Sequence, residues 1–277
     1  GEMLQVVTLA VIIGAGLTMI PAAKSAAAAK VCDGLAEALA AVVSLIMRIA
    51  PVAVFALVVP VVAAMGTDVL GALAAYAAVV VVGLAVQLFG TYPLLVSLFA
   101  RGAARVGYVR FFKAMAPAQL LAVSSSSSNA TLPVTMQCAR ERLGVSEEIT
   151  SFVCPLGATI NMDGTALYQA VIAIFLAQVY GIPLGFVDYL AITVTATLVA
   201  VGSAGVPGAS VVLIVVVLGS WGFPAVGVAI FLGLDRGLDL CGTVVNFSGD
   251  AAAAAAVAAT EGQLKPPARL DARSAVV

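Results

Sequence analysis

The amino-acid sequence predicts an all-α membrane protein, a multi-helix bundle that crosses the lipid bilayer several times. Apolar residues make up 62% of the 277-residue chain and charged residues 10%, whereas a soluble domain carries about 25% charged residues. Several charge-free runs are long enough to cross roughly 30 Å of hydrocarbon. They cover residues 49–67, 69–100, 114–139 and 164–187. We therefore expect a multi-pass protein of the cell membrane.

The second informative feature is charge placed in an apolar setting. Residues 189–234 carry no charge, and Asp235, Arg236, Asp239 and Asp250 then follow within an apolar stretch. An ionisable side chain at membrane depth costs roughly 2.5–3.5 kcal/mol on insertion scales, and the residues that persist there usually bind ions, protons or substrates. This stretch is therefore a candidate functional site.

Two apolar segments are interrupted and do not fit simple membrane spans. Basic residues flank residues 114–139 on both sides, so by the positive-inside rule this segment enters and leaves on the cytoplasmic face. Its middle, from Ser124 to Pro133, disfavours a continuous helix. Residues 189–220 are broken in the same way, by the run from Gly202 to Gly208, and approach from the other face.

This pattern predicts two re-entrant helical hairpins of opposite orientation. Irregular backbone at membrane depth is tolerated where it is buried in protein or lines a wet cavity. Interrupted segments in corresponding positions of two halves indicate a transporter binding site. The alternative is a pair of ordinary loops, which the strongly apolar flanks disfavour.

Between the hairpins, the run from Thr159 to Thr165 places polar residues inside an apolar helix. Asn161, Asp163 and the carbonyls freed by an unwound turn at Gly164 offer hard oxygen ligands, which suit sodium. Helix interiors rarely hold such residues, because each lowers helix stability. The alternative is a helix cap or break without a ligand.

The last helix, predicted over residues 225–260, supplies a complementary polar stripe. The stripe residues recur at spacings of four, four, three and four, so they share one face of the helix. They are Asp235, Asp239, Thr243, Asn246 and Asp250. Arg236 lies one residue off the stripe and is expected to pair with Asp235 or Asp239, with direct substrate contact as the alternative.

Four strings occur in order along the chain: "SSSSNATLPVTM", "GATINMDGTALYQ", "GSAGVPGAS" and "LDRGLDLCGTVVNFSGD". Together they resemble the dicarboxylate/amino acid:cation symporter family, from Gly1 to about Gly262. The resemblance implies an elevator-type, sodium-coupled homotrimer. It implies scaffold and trimerisation helices in residues 1–68, a moving transport domain in residues 69–262 and a cytoplasmic tail in residues 263–277, expected to be mobile. Residues 24–48 would link into the trimer-forming helix.

The resemblance also implies residue roles. Asp239 would bind the substrate ammonium group and Asn246 its α-carboxylate. Further substrate contacts would come from Ser127, Ser128, Thr165, Val206, Gly242 and Thr243. One sodium site would use Gly157, Asn161, Asn246 and Asp250. A second would use Thr159, Met162 and the carbonyls from Ala200 to Ser203, and a third Asp163 with Asn161.

Two positions depart from the acidic-substrate members that the sequence resembles. Those members carry an arginine directly before the threonine of the last helix, where this chain has Gly242. The basic residue of the first hairpin is replaced by Ser126. A buried substrate carboxylate would then lack a cationic partner. We therefore expect a symporter of small neutral amino acids such as alanine, serine or threonine; the alternative is an acidic amino acid or dicarboxylate symporter.

The resemblance implies three further helices before Gly1, so a truncated scaffold without transport is a third hypothesis. Other classes fit less well. Histidine is absent, and the serines from Ser124 to Ser128 have no His or Lys nearby, so we expect no enzyme activity. The net charge of −1 and the lack of a basic aromatic patch argue against nucleic acid. The expected ligands are Na⁺ and an amino acid, with no organic cofactor.

Overall fold

A computed structural model describes residues 2–49, 68–100, 106–125, 127–203, 209–221 and 226–266, with isolated positions between 52 and 63. Across these ranges the chain is helical, apart from turns, short connections and one β-bridge between Val145 and Leu264. The all-α prediction is confirmed. Much of the expected trimer-forming helix, residues 42–65, lies outside the described residues.

The helices are numbered in chain order over the described ranges. The first half contains α1 (Glu2–Thr18), α2 (Ala22–Met47), α3 (Asp68–Val86), a π-helical segment (Gln87–Thr91), α4 (Tyr92–Phe99), α5 (Tyr108–Ser125) and α6 (Ser128–Gln137). A second π-helical segment (Cys138–Leu143) follows. The second half contains α7 (Glu147–Ile160), α8 (Asp163–Val179), α9 (Phe186–Val201), α10 (Ala209–Ser220) and α11 (Val226–Thr260). Residues 24–48, expected as a link, are mostly helical and belong to α2.

Three stretches of the described chain are long and apolar enough to cross a membrane. They are Leu70–Phe99, Glu147–Val179 and Gly237–Thr260, and Phe186–Val201 is a shorter apolar helix. The first continues through the π-helical segment, and the second contains the break between α7 and α8. These spans agree with the predicted multi-pass membrane protein.

Helix α11 lies at the centre of the packing and contacts α3 to α8, α10 and both π-helical segments. Its C-terminal half is rich in alanine, and five of these alanines are fully buried: Ala251, Ala252, Ala254, Ala255 and Ala258. Small side chains let membrane helices approach closely, which strengthens their packing. Tyr76 of α3, Phe175 of α8 and Phe231 of α11 form an aromatic cluster with centroid separations of 4.9–5.5 Å.

Helical hairpins occur at both interrupted segments. Helices α5 and α6 pack against each other and meet at Ser127, whose hydroxyl caps α6 by accepting from the Ala130 amide at 3.3 Å. Helices α9 and α10 also pack against each other, and both contact α8. The first hairpin extends beyond the predicted residues 114–139, to Tyr108 and Leu143, because its helices continue past the apolar run. Their entry from opposite membrane faces stays a prediction.

The segment after Gly262 differs from the expected mobile tail. Leu264 is buried and forms the β-bridge with Val145. The Lys265 amide donates to the Gly144 carbonyl at 2.9 Å, and Ser146 donates to the Gln263 side chain at 2.6 Å. The prediction of a mobile end is wrong for residues 263–265, because a buried leucine and hydrogen bonds hold them. Residues 267–277 lie outside the described residues.

Candidate functional site

The site is built around a break between two helices. Helix α7 ends at Ile160 and α8 begins at Asp163, while Asn161 (φ −89°, ψ 70°) and Met162 (φ −104°, ψ 48°) leave the helical conformation. An unwound turn is present in this string, but at Asn161 and Met162; the predicted position at Gly164 is wrong, because Gly164 lies in the first turn of α8. The unwound turn exposes backbone carbonyls and polar side chains within an apolar span, the arrangement that ion sites in membranes use.

Asn161 joins this break to the polar stripe of α11. Its side-chain amide donates to the Asn246 backbone carbonyl at 3.1 Å and to the Asp250 carboxylate at 3.0 Å. Asp250 is only 2% exposed. The two regions that the sequence singled out separately, more than eighty residues apart, therefore form one cluster.

Asn246 is the second link between α8 and α11. Its Oδ1 accepts a hydrogen bond from the Gly164 amide at 2.8 Å. Its Nδ2 donates to Thr165 Oγ1 and to Met162 Sδ, each at 3.2 Å. Asn246 is 4% exposed and Thr165 8% exposed. The side chains of Asn246, Thr165 and Met162 therefore belong to the same buried cluster.

Asp163 is held by residues that sequence reasoning missed. Gln87 Nε2 donates to Asp163 Oδ2 at 2.8 Å, and the Tyr92 hydroxyl donates to the same oxygen. The Gly164 amide donates to Oδ1 at 3.0 Å. Gln87 is the first residue of the first π-helical segment, and Tyr92 directly follows that segment. A glutamine inside an otherwise apolar predicted span was the available signal, because polar groups at membrane depth seek partners.

Two glycines allow the helices to approach this closely. A Cβ atom at Gly157 would collide with the Asp250 carboxylate, so that carboxylate lies directly against the α7 backbone. A Cβ at Gly164 would lie 2.6 Å from the Gly242 carbonyl oxygen. By contrast, a Cβ at Gly242 would meet nothing nearer than 3.7 Å. Packing therefore does not require glycine at position 242.

The polar stripe of α11 lies on a buried face. Asp235 is 3% exposed and accepts a hydrogen bond from the Tyr168 hydroxyl at 2.9 Å. Thr243 is buried and donates to the Asp239 carbonyl at 2.9 Å, while the side chain of Asp239 is half-buried. The side chain of Arg236 lies outside what the structure describes, so its expected ion pair stays a prediction.

The hairpins contribute to the site unequally. Ser127 and Ser128 are buried where α5 meets α6, and α6 packs against α7 and α11. Ala200 of α9 forms a small buried cluster with Met162 and Ala166, and Ser203 is also buried. Thr159 is exposed and does not join the buried cluster. Val206 and Ser126 lie outside the described residues.

The cluster combines buried negative charge with oxygen ligands. Two ion pairs of the described chain join Arg140 to Glu141 and to Glu147, and neither includes Asp163 or Asp250. No described group of three or more His, Cys, Asp or Glu side chains resembles a transition-metal site. Two carboxylates with amide, hydroxyl and carbonyl oxygens instead suit a hard cation.

Fold and site together define a helical membrane protein with discontinuous helices and two hairpins around a buried polar cluster. The profile of the Sodium:dicarboxylate symporter family matches residues 1–260. The chain belongs to this family, and the resemblance inferred from the four motifs is confirmed.

Several curated relatives are similar to this chain. It is 41% identical over 220 residues to Excitatory amino acid transporter 3 of Mus musculus, covering 79% of this chain and 41% of the relative. Excitatory amino acid transporter 1 of Homo sapiens is 40% identical over 227 residues, 81% of this chain and 41% of the relative. Proton/sodium-glutamate symport protein of Bacillus subtilis is 35% identical over 266 residues, 96% of this chain and 60% of the relative. The chain thus spans about two fifths to three fifths of their lengths.

Proposed function

We propose that this chain forms the sodium- and substrate-binding part of a sodium-coupled amino acid symporter. The carrying observation is the Asn161 bridge from the α7–α8 break to the buried Asp250, beside Asp163. A buried carboxylate without a cationic partner is strongly unfavourable. A sodium ion would neutralise this charge, and the family description and a relative's name both include sodium.

The proposed sodium ligands divide into three groups. Gly157, Asn161, Asn246 and Asp250 form the first site, because Asn161 and Gly157 both contact Asp250 and Asn161 also contacts Asn246. Met162 and the carbonyls from Ala200 to Ser203 form the second, supported by the packing of Met162 against Ala200. Thr159 was assigned to this second site, and its exposure does not favour the assignment. Asp163 and Asn161 form the third.

The proposed substrate contacts lie on α11 and at the hairpins. Asp239 binds the substrate ammonium group by a charge-assisted hydrogen bond. Asn246 binds the α-carboxylate, helped by the neighbouring Thr243, which is buried beside it. The remaining proposed contacts are Ser127, Ser128, Thr165, Val206 and Gly242.

Acidic amino acids or dicarboxylates are the substrate class that the family and its relatives support best. The family is described by dicarboxylate symport, and the similar relatives are named for excitatory amino acids or glutamate. These names favour the alternative raised from the sequence over the expected neutral substrates. The positive charge that is missing at position 242 would then come from another residue, such as Arg236.

Small neutral amino acids are the second candidate, because of one observation. Gly242 is buried on the stripe face of α11, and a Cβ atom there would meet nothing nearer than 3.7 Å. Contacts at the Cβ therefore do not demand glycine there, and a substrate carboxylate beside residue 242 would meet no guanidinium from that position. Alanine, serine and threonine carry no side-chain charge and need none.

Calorimetry of the purified protein tests the function and separates the two classes. Aspartate, glutamate, serine and alanine are titrated in sodium chloride and in choline chloride. Sodium-dependent binding of aspartate or glutamate supports the acidic class, and sodium-dependent binding of serine or alanine alone supports the neutral class. If sodium changes the affinity for none of these amino acids, the symporter proposal is contradicted and a scaffold without transport is favoured.

The homotrimer, the elevator mechanism and the absence of enzyme activity also belong to this proposal. The relatives are named as transporters, which supports a non-enzymatic role. The assignment of residues 1–68 to a scaffold and 69–262 to a transport domain is supported by the position of every proposed ligand after residue 126. Native mass spectrometry in lipid nanodiscs tests the trimer, and a monomer under all conditions contradicts it.

A further inference from the structure

The first π-helical segment, Gln87–Thr91, brings two polar side chains to one point. In a π-helix a residue bonds to the one five positions later, so those two positions lie on the same face. The Tyr92 amide donates to the Gln87 carbonyl in this way. The side chains of Gln87 and Tyr92 therefore project together, whereas a regular α-helix would separate them. Such π-helical turns occur frequently at functional sites.

Both side chains reach the same carboxylate oxygen. Gln87 Nε2 lies 2.8 Å from Asp163 Oδ2, and the Tyr92 hydroxyl donates to that oxygen as well. The Gly164 amide donates to Oδ1 at 3.0 Å. A carboxylate accepts about four hydrogen bonds. Three donors from two separate parts of the chain therefore fix the orientation of the Asp163 carboxylate. One lone pair of Oδ1 remains available to bind an ion.

Tyr92 also touches the other half of the cluster. A Cβ atom at Gly249 would lie 2.8 Å from the Tyr92 hydroxyl oxygen and 2.5 Å from Asn161 Nδ2. Gly249 directly precedes Asp250 on α11, and Asn161 donates to Asp250. Tyr92 is 4% exposed. Its hydroxyl thus lies between the helix that carries Asp163 and the helix that carries Asp250.

We propose that Gln87 and Tyr92 are positioning residues that set the sodium affinity of the Asp163 site. They act through Asp163: by occupying Oδ2 they direct Oδ1 toward the ion, and Tyr92 keeps α8 and α11 at a fixed separation there. Groups that hydrogen-bond a metal ligand typically change metal affinity by roughly 10–100-fold when removed. This inference rests on the proposed sodium-coupled function.

The test is equilibrium binding of radioactive Na⁺ to the purified protein in nanodiscs, without amino acid. Tyr92→Phe removes one donor while keeping the ring, and Gln87→Met removes the other while keeping the chain length. Each is expected to raise the sodium dissociation constant roughly tenfold or more. Tyr108→Phe is the matched control, because Tyr108 is 51% exposed and packs against Phe112 outside the cluster. It should leave sodium binding unchanged.

A second measurement separates positioning from a general structural role. Amino acid affinity at saturating sodium should stay close to that of the unmodified chain in both variants, because the ordered site is restored once sodium is bound. If the unmodified chain does not bind sodium, the proposed function fails and this inference fails with it. If it binds sodium and both folded variants bind it equally well, the inference alone is overturned. Gln87→Met decides the question where Tyr92→Phe does not fold.

Discussion

At the residue scale, the two carboxylates of the cluster are held in different ways. Asp163 accepts hydrogen bonds from Gln87, Tyr92 and its neighbour Gly164. Asp250 accepts one from Asn161 and lies against the bare backbone at Gly157. Asp163 is thus locked by donors, while Asp250 has fewer donors and is more deeply buried. Asp250 therefore gains more from a bound cation.

We expect Asp250→Asn to weaken sodium binding by about tenfold or more, because the variant removes a buried ligand charge. Sodium titration of amino acid binding measures this change. Asp33→Asn is the control, since Asp33 is exposed on α2. Equal sodium dependence in both variants would argue against Asp250 as a ligand.

Position 242 carries the substrate prediction. Gly242→Arg should strengthen aspartate binding relative to serine by about tenfold, since a hydrogen bond to a charged group contributes roughly 1.5–3 kcal/mol and 1.4 kcal/mol is a factor of ten. A Cβ atom at position 242 would lie 3.7 Å from its nearest neighbour, so the first atom of the new side chain fits without a clash. Gly242→Met supplies bulk without charge. Competition calorimetry compares the two variants, and an equal shift in both would contradict a role for the charge.

At the element scale, the break between α7 and α8 depends on close packing against α11. Gly164 directly follows Asp163 in the first turn of α8, with the Gly242 carbonyl close to its Cα. Any side chain there pushes α8 and α11 apart and stretches the Gly164–Asn246 hydrogen bond of 2.8 Å. The distance between α8 and α11 therefore also determines where the proposed sodium ligands Asp163 and Asn246 lie.

Gly164→Ala should lower the unfolding free energy by about 1–3 kcal/mol, the usual effect of overpacking. Gly71→Ala is the matched control, because a Cβ at Gly71 in α3 meets nothing within 4 Å. It should stabilise the helix by roughly 0.5–1 kcal/mol. Thermal unfolding in nanodiscs measures both. If both variants have the same unfolding temperature, the chain accommodates a side chain at position 164 without strain against Gly242.

The segment after α11, residues 263–265, packs against the residues that lead into α7. Leu264 pairs with Val145, and Gln263 accepts from Ser146, the residue that caps α7. Leu264→Ala should lower stability by about 2 kcal/mol, because burial of the leucine is lost. Leu120→Ala provides the same chemical change at a residue that is 71% exposed. If both variants unfold alike, the segment does not contribute to stability.

At the scale of the whole molecule, sodium should stabilise the fold as a ligand of the native state. Binding at one hundred times the dissociation constant adds about 2.7 kcal/mol of stability. The unfolding temperature should rise with sodium chloride and stay level with choline chloride at equal ionic strength.

Linkage also requires that amino acid and sodium raise each other's affinity by the same factor. Unequal factors in calorimetry would contradict coupling at a shared site.

Local sequence patterns predict the class of protein and much of the cluster. Long charge-free runs predict membrane spans, and local composition predicts a helix break within the string from Thr159 to Thr165 and the polar stripe that ends at Asp250. The periodicity of α11 predicted its buried face, because every position on a helix is fixed relative to its neighbours. These features depend on residues close in sequence, and they agree with the structure.

Contacts between residues that are distant in the chain become evident only from how the helices pack. Gln87 and Tyr92 lie 76 and 71 positions before Asp163 in the chain, and no local pattern indicates that pairing. The expected mobile tail is held through Val145, more than a hundred positions away. Such contacts depend on how helices pack, and that packing is set by small residues such as Gly157 and Gly164. Periodicity predicts the face that a helix buries, while packing selects the partner it meets.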